Sequence, residues 1–373
     1  MQSFFSKHFV KIFIYYFMKI SLCMIVKNEE DVLERCLKSV SSFVDEIIIV
    51  DTGSTDKTKN IARTFTDKIF DFKWVDDFSL ARNFSITKAT GDYIMWLDAD
   101  DVIKKSELTK LLNFKPKIDG RVDMYRLKYN IAFDKNDNPT FSFYRERIFK
   151  NNKTYFWQDP VHEVIIPHGV IENLDIAINH RKIHQNPPMR NLKIYQKLLD
   201  NKIPFSARQK FYYSRELLYN GYYKEAVKSF DEFLERNDAW LENKIEACLN
   251  QATCYEKINN EEKALRALFN SFNYALPRAE ILCSIGNILV KLNRLNEAIF
   301  WYKEATKSIP NYESGAFIQK DYYDIIPYLQ LCMCYYNLGN IRKSKYYNNL
   351  AFKINPLNPS VLYNLEFFKK KKS

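Results

Sequence analysis

The chain has 373 residues, enough for two domains with separate cores, and its 46% hydrophobic and 16% aromatic content excludes a largely disordered protein. The net charge of +11 favours anionic partners. The basic residues are spread along the sequence, however, with one dense run at Lys369–Lys372 and no recognisable nucleic-acid-binding module, so we expect no nucleic-acid partner.

The N-terminal residues are apolar but do not have the pattern of a membrane span. Phe9–Val26 carries Lys11 and Lys19, whereas a spanning helix needs about 20 mainly apolar residues. We expect a cytoplasmic protein without stable membrane insertion, and loose membrane contact at most through Phe4–Phe17. The seven cysteines contain no CxxC pair, which favours reduced, buried thiols.

Strand and helix patterns alternate through the first hundred residues. Apolar runs predict buried parallel strands at Ile20–Val26, Asp45–Val50 and Tyr93–Leu97, and a helical pattern covers Val32–Val40. Ser54 or Thr55 is predicted to cap a helix that begins near Lys57. Polar residues follow each strand, and ligands of open α/β sheets bind at this carboxyl edge.

Three carboxylates follow the third predicted strand, at Asp98, Asp100 and Asp101. If the backbone stays extended, Asp98 and Asp100 share a face, and a divalent cation between them relieves their repulsion. Mg²⁺ is often held by one or two carboxylates together with substrate phosphates, which makes this segment a candidate nucleoside-diphosphate site. The alternative is an ordinary acidic surface turn.

From about Ser206 onward the pattern is helical and repeats itself. Small residues recur in equivalent positions at Ala226, Ala264, Ala298 and Ser344. Their spacing is near the roughly 34 residues of a tetratricopeptide repeat, and the longer last interval predicts an insertion around Asn311–Asp324.

Four blocks of the first half resemble family 2 glycosyltransferases of the GT-A fold. The blocks are Met24–Glu30, Val50–Asp56, Phe78–Asn83 and Ala89–Asp101, in the order expected for that family. The resemblance covers roughly Lys19–His184. Together with the repeats, it is similar to a bacterial subgroup that includes bacteriocin S-glycosyltransferases.

The resemblance implies an α/β GT-A domain, a Rossmann-like nucleotide-sugar-binding fold, followed by an all-α tetratricopeptide-like helical repeat domain. We predict an N-terminal extension at 1–18, the GT-A domain at 19–185, a linker at 186–205, the repeat domain at 206–368 and a basic tail at 369–373.

The same resemblance assigns donor-binding roles. Asp51 would hydrogen-bond the uracil-type base of a nucleotide sugar, and Asn28 and Glu29 would line the same pocket. Arg82 would reach the diphosphate or the sugar, because a planar guanidinium suits phosphate geometry. A surface salt bridge is the alternative for Arg82.

Asp98-Ala99-Asp100 matches the family's DxD motif. By this match Asp100 binds a divalent cation, Mn²⁺ or Mg²⁺, and Asp98 contacts the ribose or a metal-bound water. His162 resembles the histidine that completes the metal site in many GT-A enzymes, and imidazole is a reasonable ligand for Mn²⁺.

Family 2 enzymes invert the anomeric centre, which requires a carboxylate to accept the acceptor's proton. Asp159 and Glu163 are our candidates for this base, with Glu146 third, because no clear Glu-Asp pair occupies the expected position. A cysteine acceptor would need the base less, since a thiol loses its proton near pH 8.5.

A basic cluster formed by His180, Arg181, Lys182 and His184 lies between the two halves. The cluster would either close over the diphosphate or form an exposed connector, and we favour the connector.

The leading hypothesis is an inverting, metal-dependent glycosyltransferase that moves a sugar from a UDP-sugar to a peptide, protein or glycan acceptor. The repeats would hold the acceptor or form a homodimer. One alternative is a non-catalytic repeat scaffold with a relic GT-A domain. A nucleotidyltransferase ranks lower, because the glycine-rich loop usual in that class is absent at Lys27–Glu30.

Overall fold

The computed structural model describes residues 18–134, 137–184, 187–311 and 318–370. Contacts divide the chain into two compact units, with the boundary between residues 185 and 186. Within the described ranges no helix is both long and apolar enough to cross a membrane. Phe4–Phe17, the segment predicted to touch membranes, lies outside them.

The first unit is built on an eight-stranded mixed sheet. Its strands are β1 (Ile20–Val26), β2 (Glu46–Asp51), β3 (Ile69–Asp71), β4 (Tyr93–Trp96), β5 (Asp101–Val102), β6 (Met124–Phe133), β7 (Pro139–Lys150) and β10 (Ile171–His180). They lie in the order β3-β2-β1-β4-β7-β6-β10-β5. A separate two-stranded sheet joins β8 (Trp157–Gln158) and β9 (Val164–Ile165).

The predicted parallel sheet is confirmed. β1 pairs in parallel with β2 and β4, and β2 pairs in parallel with β3. β1 is buried along almost its whole length because its two faces contribute to two different apolar clusters, one containing Leu22 and the other Cys23. The helices of this unit are α1 (Leu33–Val40), α2 (Thr58–Arg63), α3 (Phe78–Ile86) and α4 (Lys105–Phe114).

Two local predictions in this unit are wrong. Helix α2 begins at Thr58 without a side-chain cap, because the Ser54 hydroxyl instead accepts a hydrogen bond from the Asn28 amide at 2.9 Å. The third strand ends at Trp96, so Asp98 and Asp100 are not on an extended strand. Residues 98–101 form a turn, closed by a 3.0 Å hydrogen bond from the Asp101 amide to the Asp98 carbonyl oxygen.

The second unit is entirely helical over its described residues. It contains α5 (Arg190–Asp200), α6 (Ala207–Tyr219), α7 (Tyr223–Leu234), α8 (Leu241–Lys257), α9 (Glu261–Asn270), α10 (Ala279–Lys291), α11 (Leu295–Ala305), α12 (Ile325–Asn337), α13 (Ile341–Ile354) and α14 (Pro359–Lys370). The small residues that marked the repeats, Ala226, Ala264, Ala298 and Ser344, are fully buried where paired helices approach.

The segment predicted as a linker is partly helical. Leu192 of α5 packs in the same apolar cluster as Ala207 and Phe211 of α6, so α5 belongs to the second unit. Of the predicted insertion, residues 312–317 lie outside the described ranges, and Lys320–Tyr322 forms a short 3₁₀ turn. All seven cysteines are buried and free.

Candidate active site

Hydrogen bonds join the loops after β1 and β2 next to Asp51. One carboxylate oxygen of Asp51, Oδ1, accepts hydrogen bonds at 2.9 Å from the amides of Gly53 and Ser54, and Gly53 supplies the positive φ of 106° that this turn requires. The other oxygen, Oδ2, is buried and has no hydrogen-bond partner among the described residues. A buried acceptor of this kind favours a donor N–H from a ligand.

Asn28 and Glu29 tie the first loop to the second. The Asn28 side-chain oxygen accepts from the Thr55 amide at 2.8 Å, and the Glu29 amide donates to the Thr58 hydroxyl at 2.7 Å. Burial, followed by the nearby carboxylates of Asp100 and Asp98, raises the pKa of Glu29 to about 7. Glu29 therefore lies beside the acidic turn, where a cation would favour its ionised form.

Asp101 organises the acidic turn from a fully buried position. Its carboxylate accepts from the Asp98 amide at 3.0 Å, from Arg147 Nη1 at 3.0 Å and from the Tyr129 hydroxyl at 2.9 Å. Arg147 is equally buried, and its Nη1 also donates to the Trp96 carbonyl oxygen at 3.2 Å. These bonds hold the turn at the end of β4.

His180, the last residue of β10, reaches the same turn. Its Nδ1 lies 3.2 Å from Asp100 Oδ1 and 3.4 Å from Asp101 Oδ1. Burial lowers the pKa of His180, but the two carboxylates more than offset this effect and raise it to about 10. Ligand atoms of Asp100, Asp101 and His180 all lie within 4.8 Å of one another, and this is the one such group of three metal-ligating side chains in the described ranges.

Arg82, on α3, is buried between two carboxylates. Its Nη2 lies 2.7 Å from Asp98 Oδ1 and its Nε lies 2.8 Å from Glu163 Oε1. The guanidinium also stacks on Trp157, 4.7 Å from the ring centre. Although burial opposes it, the Arg82 charge lowers the pKa of Asp98 to about 2. The surface salt bridge considered for Arg82 is therefore wrong, because both ion pairs are largely enclosed.

The remaining candidates, Asp159, His162 and Glu163, lie on the loop between β8 and β9. The Asn83 side chain makes two hydrogen bonds to the backbone of Trp157, just before this loop. The Phe78 amide donates a hydrogen bond to the Pro160 carbonyl oxygen at 2.8 Å. Asp159 and His162 both have positive φ, 71° and 54°. Through Arg82 this loop is joined to Asp98.

His162 is not a member of the three-residue metal-ligating group, in which His180 stands instead. Glu146 lies on β7, where its carboxylate is buried and pairs with Arg145 at 3.3 Å. The structure therefore joins Asp98 to Glu163 through Arg82, and it places His180 beside Asp100.

These side chains suit a nucleotide and a divalent cation. The unpartnered Asp51 Oδ2 fits a nucleobase donor, and His180 Nδ1 is buried close to two carboxylates without a hydrogen bond of acceptable geometry. Carboxylate oxygens with one imidazole are a donor set that Mn²⁺ accepts.

The model of glycosyl transferase family 2 matches residues 21–221, more than half of the chain. The chain belongs to this family. A tetratricopeptide-repeat model matches residues 279–312. The predicted family and two-part architecture are thereby confirmed.

Over 148 residues the chain is 38% identical to a TPR repeat-containing protein of Synechococcus elongatus, covering 39% of this chain and 35% of that protein. It is 29% identical over 239 residues to the SPbeta prophage-derived glycosyltransferase SunS of Bacillus subtilis, covering 58% and 54%. The match to the crystal structure of S. aureus TarS has a TM-score of 0.38 at 15% identity, covering 64% and 54%. The chain thus spans about a third to a half of the length of the two curated relatives.

Sequence reasoning gave Arg147 no role. It named Asp101 only as one of three carboxylates and His180 only as part of the basic cluster, without pairing either with the acidic turn. His180 follows the apolar alternation Leu174, Ile176, Ile178, which marks a strand that leads directly into the basic cluster. That signal places His180 at a strand end. The preference for an exposed connector is therefore wrong for His180.

Proposed function

We propose that this family 2 chain transfers a sugar from a nucleotide sugar, with a uracil-type base, to an acceptor with inversion at the anomeric carbon. The observation that carries the proposal is the gathering of Asp51, the acidic turn and Glu163 around the carboxyl edge of β1, β2 and β4. Asp51 would hold the base through its unpartnered Oδ2, with Asn28 and Glu29 beside it. Asp98 would face the ribose side of the donor.

Asp100 and His180 would hold the cation, with Asp101 close behind them. Bound there, Mn²⁺ or Mg²⁺ would neutralise charge on the departing nucleoside diphosphate. His162 remains an alternative ligand, since its loop is joined to Asp98 through Glu163 and Arg82. The role of Asp101 is to orient the turn, because its oxygens already accept bonds from three protein groups.

Glu163 or Asp159 would take the acceptor's proton. The acceptor atom forms a bond to the anomeric carbon while the bond to the diphosphate oxygen breaks, and that oxygen keeps the electron pair. Arg82 holds Glu163 in place on the loop that follows β8. This arrangement supports Glu163 as a positioned carboxylate, and Asp159 on the same loop is the second candidate.

The repeat unit would bind a peptide or protein acceptor, a glycan acceptor, or a second copy of the chain. What supports this proposal is the array of paired helices, since stacked repeats form extended binding surfaces.

The experiment that tests the proposal is a screen of nucleotide sugars with and without Mn²⁺, read by thermal shift and by product analysis. A ligand at 100 times its Kd stabilises the fold by about 2.7 kcal/mol. We expect a manganese-dependent shift with a UDP-sugar and release of UDP. The shift should be lost in Asp100→Asn and kept in the matched control Asp175→Asn, whose carboxylate lies on the surface beside Lys128.

Release of pyrophosphate would indicate nucleotidyl transfer instead. Absence of any nucleotide-dependent shift would favour the scaffold hypothesis.

A further inference from the structure

Three guanidinium groups surround the indole ring of Trp96, at the end of β4. The Cζ atoms of Arg82, Arg145 and Arg147 lie 5.1, 5.1 and 3.8 Å from its ring centre. Aromatic faces attract cations, and each contact contributes more in a desolvated site. Three positive charges therefore lie close together beside the acidic turn, and their partners differ.

Two of the three arginines already have carboxylate partners. Arg82 joins Asp98 and Glu163, and its side chain is 10% exposed. Arg147 pairs with Asp101, and both side chains are fully buried. Burial keeps Arg147 from contact with a ligand, and two carboxylates offset the charge of Arg82.

Arg145 differs from both. Its side chain is 28% exposed, and its one ion pair within the described ranges is the 3.3 Å contact with Glu146, its neighbour in sequence. Although burial lowers the pKa of Arg145, Glu146, Glu163 and Asp98 raise it overall, which places its charge close to the candidate site. Arg145 is therefore the accessible member of the three.

Arg145 and Arg147 are two residues apart on β7, a spacing that places side chains on one face of a strand, and a β-bulge occurs at Arg147. Tyr125 of β6 pairs with Ile148, but the next residue, Arg126, pairs with Glu146, so Arg147 is an extra residue in β7. A bulge bends a strand and redirects its side chains, and bulges are frequent beside active sites.

We propose that Arg145 binds the diphosphate of the nucleotide donor, a role that rests on the proposed function. Asp98 and Glu163 are already paired with Arg82, so Arg145 adds positive charge that their carboxylates do not fully offset. A planar guanidinium forms paired hydrogen bonds to phosphate oxygens. Because the Arg145 guanidinium already packs on Trp96, its side chain loses less conformational freedom when a ligand binds. When the bond to the sugar breaks, Arg145 stabilises the charge that grows on the diphosphate.

The test compares UDP with uridine, which lacks the diphosphate, on the full chain in Mn²⁺. Arg145→Gln keeps a planar polar end but shortens the side chain and removes its charge, and Arg145→Lys restores the charge. Arg126→Gln is the matched control, because Arg126 lies on the neighbouring strand and hydrogen-bonds Asn173. UDP affinity is measured by titration calorimetry and uridine affinity by ligand-observed NMR.

We expect Arg145→Gln to weaken UDP binding about ten- to a hundred-fold, the usual effect of losing a charge-assisted contact, while uridine affinity stays within about two-fold. Arg145→Lys should recover part of the loss, and Arg126→Gln should bind both ligands normally.

Equal weakening of UDP and uridine would show a structural role and overturn the inference. Unchanged UDP binding in Arg145→Gln would overturn it while leaving the proposed function intact. If the unaltered chain bound neither ligand, the proposed function itself would fail, and the inference with it.

Discussion

Arg82 neutralises two carboxylates that are distant in the sequence. Its pairs with Asp98 and Glu163 are largely enclosed, and its guanidinium packs on Trp157. Removing one partner of a buried ion pair leaves a charge that is neither solvated nor compensated. Arg82 therefore links Asp98 to Glu163. Its predicted contact with the diphosphate or the sugar of the donor stays a prediction.

Arg82→Met should lower the free energy of unfolding by about 3 kcal/mol, because it leaves both carboxylates without a counter-charge. Chemical denaturation measures this change. Arg63→Met is the control, since Arg63 is exposed on α2 and hydrogen-bonds Asn60. Adding Glu163→Gln to Arg82→Met should recover part of the loss, because the two sites interact directly. A loss below about 1 kcal/mol in Arg82→Met would mean that the carboxylates reach solvent.

At the scale of elements, Glu46 joins the start of β2 to its surroundings. Its carboxylate accepts from Ser21 on β1, from Lys68 before β3, and from the amide and hydroxyl of Thr90 at 2.8 and 2.9 Å. Burial raises the pKa of Glu46, but these hydrogen bonds outweigh it and lower the pKa to about 2. The ionised form is therefore part of the folded sheet.

The lowered pKa of Glu46 predicts that acid destabilises the fold. Because the folded pKa of about 2 lies below the ordinary value of 4.5, Glu46 stabilises the fold above pH 4.5, and the contribution disappears as the pH falls toward 2. The contribution of ionised Glu46 to the free energy of unfolding is at most about 3 kcal/mol. Glu46→Gln should be less stable at pH 7 and should lose less stability between pH 4.5 and 2, measured by urea denaturation at each pH.

Glu34→Gln, on the exposed side of α1, is the control and should follow the unaltered chain. Parallel pH profiles for Glu46→Gln and the unaltered chain would contradict the assignment.

Gly286 determines how closely α10 approaches α11. A Cβ at this position would lie 2.6 Å from the ring of Tyr302, which is fully buried and donates a hydrogen bond to Asn287. Helix propensity alone favours alanine by about 1 kcal/mol, but overpacking a rigid ring costs about 1–3 kcal/mol.

Gly286→Ala should therefore destabilise the second unit, as measured by thermal unfolding. Ser284→Ala on the same helix, which removes a back-bond to the Glu280 carbonyl oxygen, should be neutral or slightly stabilising. An increase in stability for Gly286→Ala would show that the helices can separate at little cost.

At the scale of the whole molecule, the chain contains two units that have cores of their own. One apolar cluster packs α1 and α4 against the sheet, and the repeat helices bury separate clusters. We expect calorimetry to resolve two unfolding transitions. Glu46→Gln should lower the temperature of one transition, and Gly286→Ala should lower that of the other. UDP with Mn²⁺ should raise the temperature only of the transition that Glu46→Gln lowers. A single transition moved by all three changes would indicate one cooperative unit.

The sequence by itself determined the class of the protein. Runs of β-branched residues indicated β1 and β2, because a strand buried on both faces needs apolar residues along its length. The recurring small residues Ala226, Ala264 and Ala298 indicated the repeats, because closely packed helices need small side chains at their contacts. Asp51 and Asp100 could be placed at strand ends for the same reason, since a strand and the turn after it are encoded by neighbouring residues.

The partners of these residues were decided only by the tertiary structure. Period-two reasoning put Asp98 and Asp100 on one face, but the strand ends at Trp96 and the chain turns, so Asp98 pairs with Arg82 while Asp100 lies beside His180. His180 arrives there because β10 lies between β6 and β5 in the sheet. Pairing between strands far apart in the sequence depends on the packing of the whole sheet, which no local pattern encodes.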